Sequence, residues 1–94
     1  MHAVVIEVDT SGQPDPEVGL KLLREQIVPG VSQAPGFQAG YWLRPLDDGK
    51  GTSLVLFDTE ENAEAASRAL GVGESPSPGV KVTRREVREV AASA

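Results

Sequence analysis

Apolar residues recur along this chain with two different periods. Residues 3–9 alternate every second position, with Val4, Ile6 and Val8 on one side and Ala3 and Val5 on the other, the signature of a β-strand. Residues 10–16, TSGQPDP, collect turn formers and end that strand. Asp15 followed by Pro16 is a helix start, with a capping carboxylate and a proline at the first helical position. Leu20, Leu23, Ile27 and Val31, with Val28 beside them, then follow the helical period, while Glu17, Lys21, Arg24 and Glu25 occupy much of the remainder. Pro29-Gly30 predicts that the helix ends or kinks there, with one further turn to about Gln33.

The period then returns to two. Residues 37–44 read as a strand, with Phe37, Ala39, Tyr41 and Leu43 on one face and Gln38, Gly40, Trp42 and Arg44 on the other. Residues 45–51 form a hairpin loop in which Asp48-Gly49 supplies the positive-φ position. Residues 52–58 are a third strand. Asp58 or Thr59 then caps a helix over 60–70, with Glu60 and Glu61 at its favourable end and Ala63, Ala65, Ala66 and Ala69 allowing close approach to a sheet. An irregular connection (71–79) leads to a last strand over 80–90. The order β-α-β-β-α-β predicts an α+β class domain, with the ferredoxin-like arrangement over residues 1–94: a four-stranded antiparallel sheet with both helices on one face.

The alternation also raises a problem. With both helices on one side, the other side of the sheet should be polar in a monomer. Yet Leu54 and Leu56 oppose Val55 and Phe57, and Tyr41 and Leu43 oppose Trp42, so both faces carry apolar residues. Contiguous apolar surface of that kind calls for a cover, and a second copy joined sheet to sheet is the most economical one. The expected partner is therefore the chain itself, as a homodimer.

Composition narrows the function. No cysteine is present, which removes disulfides, thiolate metal sites and cysteine nucleophiles, and favours an intracellular, cytoplasmic setting. The first ten residues, MHAVVIEVDT, lack a basic segment and read as a strand rather than a leader. No apolar run approaches the roughly 20 residues of a membrane span. The net charge of −5 opposes nucleic acid, and Glu86 and Glu89 break up the one basic stretch, Lys81 to Arg88.

Three of the four aromatic residues, Phe37, Tyr41 and Trp42, fall within six positions. Trp42 and Arg44 share a strand face, so they could form an aromatic wall and a cation for a phenolate, quinone or carboxylate, or could simply pack. Tyr41 is a ligand candidate through its phenol, or a buried ring bonded to backbone. His2 reads as a solvated terminal residue, Asp47 and Asp48 as turn formers, and Glu60, Glu61 and Glu64 as a solvated helix face. With a single terminal histidine, no Ser-His-Asp arrangement is available, and GVGESPSPG lacks the pattern of a phosphate loop.

PGF, the aromatic strand, the glycine-bearing hairpin, LVLFDTEENAEAA and the charged final strand together resemble the dimeric α+β barrel superfamily, nearest to its antibiotic biosynthesis monooxygenase-like domains. The resemblance implies two ferredoxin-like subunits joined through their sheets, each with a cavity between helices and sheet for a small, often aromatic ligand. It implies either a ligand-binding protein or, as the alternative, a cofactor-independent monooxygenase acting on a phenolic or quinol substrate. Phe57 stands where members of that branch carry a tryptophan, and Ala66-Ser67 where they carry a histidine. A histidine-ligated heme would have to use His2, so no cofactor is expected. Asn62, the chain's single asparagine, joins Trp42, Arg44 and Tyr41 as a ligand-binding candidate.

Overall fold

The computed structural model describes residues 1–46, 49–69, 73, 75–76 and 78–94. The chain runs β1 (His2–Asp9), α1 (Pro16–Leu22), a π-helical segment (Leu23–Ile27), α2 (Val28–Ser32), β2 (Phe37–Leu43), β3 (Lys50–Phe57), α3 (Glu60–Ser67) and β4 (Lys81–Glu89). All strand pairings are antiparallel and the sheet order is β2-β3-β1-β4. This is the expected ferredoxin-like βαββαβ fold.

Local chemistry explains the element ends. Asp15, in extended conformation, accepts from the Glu17 backbone N–H at 3.0 Å, and Pro16 opens α1. Thr59, rather than Asp58, caps α3 by accepting from the Asn62 N–H at 3.1 Å. Gly49 has φ +71, the positive-φ position expected in the hairpin. Asp47, Asp48 and Leu70 lie outside the described residues.

The helical region departs from its expected form. The chain stays helical through Pro29-Gly30, and the irregularity lies one turn earlier. The Val28 N–H donates to the Leu23 carbonyl, a π-type bond. Pro29 has no N–H for the carbonyl of Glu25 and its ring crowds that carbonyl, so the preceding turn widens.

Two bulges decide which side chains share a face. In the β2–β3 ladder Phe37 pairs with Phe57 but Ala39 pairs with Leu56, so Gln38 is the extra residue. Phe37 therefore joins Gly40 and Trp42 on the helix side, correcting the strict alternation that grouped it with Tyr41. In β4, Val82 pairs with Val8 and Arg84 with Glu7, leaving Thr83 as the extra residue, its hydroxyl donating to the Glu7 carboxylate at 3.0 Å.

The core lies between the sheet and α3. Val4, Val55, Phe57 and Ala63 are buried together, with Ile6, Val31, Phe37, Trp42, Ala66 and Val87 packed around them. Ala63 is completely buried, so the alanines do let α3 settle onto the strands. Arg85 donates to the Ser67 carbonyl at 3.0 Å, tying β4 to the C-terminal end of α3, where a cation is favoured.

The opposite face carries Val5, Ala39, Leu54 and Leu56, with Tyr41 58% and Leu43 57% exposed. Charge borders this apolar area on its β4 side. Arg84 Nε donates to Glu86 at 2.6 Å and Arg88 Nε donates to its other oxygen at 3.0 Å. The hydrogen bond from Arg84 is the main reason the Glu86 carboxyl is held below its ordinary value, with the bond from Arg88 adding to it. No helix is long and apolar enough to cross a membrane among the described residues.

Candidate functional site

α2 and α3 rest directly on the strands, whereas α1 and the π-helical segment stand away from them. The gap is a cavity of about 320 Å³, at the small end of the range that holds small molecules. Leu20, Leu23 and Ile27 form its helical wall. Ile6 and Val8 from β1, Trp42 and Leu43 from β2, and Gly51, Thr52 and Ser53 from β3 form its floor and side. The wider π turn thus falls where the helix faces the cavity, a placement such turns often have at functional sites.

The indole of Trp42 lies along β2 over Gly40, where an added Cβ would come within 2.7 Å of the ring. The missing side chain at residue 40 is what lets the ring lie against the strand. Arg44 follows the end of β2, exposed and lining the cavity, with no charged partner among the described residues. An unpaired guanidinium beside an aromatic wall can hold a carboxylate, phenolate or enolate oxygen.

Residues of three loops meet at one end of the cavity. Thr10 donates both its backbone N–H and its hydroxyl to the Gly49 carbonyl, each at 2.8 Å. Gly12 and Gly79 pass backbone to backbone, and a Cβ at residue 79, where φ is +76, would overlap the Gly12 carbonyl. Gln13, held in the turn by its N–H to the Thr10 carbonyl at 3.0 Å, extends its side chain across Gly19 of α1.

Of the sequence candidates, Trp42 and Arg44 come together at the cavity. Tyr41 lies on the other face of the sheet, away from it. Asn62 lies at the start of α3, where its side-chain amide donates to Asp58 at 2.8 Å above the Pro35-Gly36 turn. Leu20, Leu23 and Ile27 read in the sequence as a core stripe, and only the standoff of the helix turns them into a cavity wall. Gln13 was hidden in a turn-rich stretch. The sequence sign of its position is Gly19, a glycine inside a helical pattern, which marks close approach by another group.

The cavity's donor set bears on heme. Heme iron takes histidine, cysteine, methionine or tyrosine as its protein ligand, and none of these lines the cavity. His2 pairs with Phe57 and Glu89 at the opposite end of β1, roughly 13 Å along the strand from Ile6. The residues present do not fit a histidine-ligated heme in this cavity. Among the described residues, no group of three acidic or histidine side chains could hold a metal ion.

No protein-family model matches the chain, and no curated protein does. A solved structure does: the heme-degrader MhuD from Mycobacterium tuberculosis, with two hemes bound in its active site. It shares 16% identity, covers all of this chain and 99% of its own, and superposes with a TM-score of 0.70. The chain thus shares the βαββαβ fold of that protein, the fold that the sequence order implied. At that identity the likeness is one of fold.

Proposed function

We propose that this chain is a small dimeric protein that binds an apolar or aromatic small molecule in the cavity between the π-helical segment and the sheet. The observation that carries this reading is the joining of an apolar cleft, an indole wall and a guanidinium with no charged partner among the described residues. The heme-degrader of like fold holds flat ligands in its active site, which supports the same use of the fold here. Titration of nitrogen-labelled protein with α-naphthol tests it. Trp42 is the chain's single tryptophan, so one indole N–H signal reports the site. A saturable shift of that signal is expected, and its absence contradicts the reading.

The dimer belongs to the same proposal. The apolar face around Leu54, Leu56, Tyr41 and Leu43 is covered by a second copy, with the Arg84–Glu86–Arg88 cluster at its border. Light scattering should give twice the 9.9 kDa mass of one chain; a 9.9 kDa particle contradicts it.

Arg44 beside Trp42 favours one second reading, cofactor-independent oxygenation of a bound phenol or quinol. In it Arg44 stabilises the substrate anion, and that anion supplies the electrons for molecular oxygen. Oxygen uptake with a panel of quinols, lost in Arg44→Ala, supports this reading. No uptake with any of them rejects it and leaves the binding function standing.

A further inference from the structure

The geometry points to Gln13 as the residue that selects the ligand, by hydrogen-bonding a hydroxyl or carbonyl oxygen on an otherwise apolar aromatic body. The inference rests on the reading of the cavity as a binding site.

Gln13 lines the main cavity and also a smaller pocket of about 70 Å³ on its other side, so its side chain is the partition between them. Its amide group has no hydrogen-bond partner among the described residues, although a carboxamide offers two donors and an acceptor. Beside an apolar wall such a group gains most from a ligand oxygen, because water is partly excluded there.

Two features hold the amide in place. The turn that carries it is fixed by the Thr10–Gly49 hydrogen bonds and by the Gly12–Gly79 backbone contact. Gly19 provides the second. A Cβ built on residue 19 would fall on Gln13 Nε2, so the amide occupies the space that any other residue there would fill. Glycine in a helix interior is costly, by about as much as a helix-favouring alanine would gain. A glycine at this position is accounted for by the group laid across it. Arg44 recognises charge and Gln13 a neutral oxygen, so the favoured ligand is a one- or two-ring hydroxy- or oxo-aromatic.

The test compares α-naphthol with naphthalene, which has the same rings and no oxygen, using the Trp42 indole N–H signal as the readout. The quantity of interest is the preference, the naphthalene Kd divided by the naphthol Kd. Gln13→Leu should lower the preference by about threefold to tenfold, the worth of one neutral hydrogen bond, with naphthalene affinity little changed. Gly19→Ala displaces the same amide without touching its chemistry, and should lower the preference in the same direction while leaving the fold at least as stable. An unchanged preference in both variants, with both probes binding, overturns the role of Gln13 and leaves the cavity reading intact. Failure of both probes to bind the wild-type protein overturns the two together.

Discussion

Phe37 and Phe57 face each other across the β2–β3 ladder, ring centroids 6.3 Å apart and planes at 82°, an edge-to-face pair. The pair exists because Gln38 is bulged out of the ladder, which rotates Phe37 onto the helix side. Phe57 is 1% exposed and centres the cluster that joins α3 to the sheet. Phe57→Ala should cost about 3–5 kcal/mol of stability in urea unfolding, a large share of what a chain of this size possesses. A loss under about 1 kcal/mol would mean that this contact does not hold the fold together.

Trp42 and Tyr41 are neighbours on opposite faces, so their substitutions should separate two properties. Trp42→Ala removes the cavity's aromatic wall and should weaken naphthol binding, followed by the ligand's own fluorescence, on the order of tenfold, with the dimer intact by light scattering. Tyr41→Asp, combined with Leu54→Asp at its cross-strand partner, places charge on the open face and should yield monomers. If the two substitutions impaired both properties alike, the division of roles between the faces would be wrong.

The cluster at Glu86 predicts an acid dependence. Its hydrogen bonds, from Arg84 first and then Arg88, lower the carboxyl's value in the folded state below the ordinary 4.5. The stabilisation is therefore fully present above about 4.5 and is lost as pH falls through the lowered folded value. Thermal unfolding from about pH 6 down to about pH 3 should show a smaller acid-induced fall in Tm for Glu86→Gln than for the wild type. Parallel curves for the two proteins would remove Glu86 from the account of acid stability.

Asn62 lies over the turn before β2, which the Asp58 N–H holds through the Gly36 carbonyl at 2.9 Å. Its amide bonds to Asp58, and Gly36, with φ +79, passes beneath both side chains. Asn62→Ala should cost about 1 kcal/mol of stability while leaving naphthol affinity unchanged. A selective loss of affinity at unchanged stability would instead give Asn62 a place in ligand binding.

Much of this fold is legible in the sequence because period and turn chemistry agree. Asp15-Pro16 opens a helix, Gly49 takes the positive φ of the hairpin, and the face carrying Val4, Ile6 and Val8 is the one that meets the helices. The bulge at Gln38 is not legible. Alternation continues unbroken on either side of one extra residue, and only the pairing partner reveals the change of face. The π turn shows in sequence only as Pro29, because the proline acts on the turn before it. At the site, Trp42 and Arg44 could be read as a pair from their spacing. Gln13 could not, since its meeting with Gly19 depends on how a turn folds over a helix.

The central claim is that the gap between the π-helical segment and the sheet is a binding site. The most direct measurement is a crystal structure of the protein grown with α-naphthol. The account predicts ring density between Leu23 and Ile27 on one side and Trp42 on the other, with the hydroxyl toward Gln13. Naphthol seated instead on the open face at Tyr41 and Leu54, or a cavity filled by the collapse of α1 onto the strands, would contradict it.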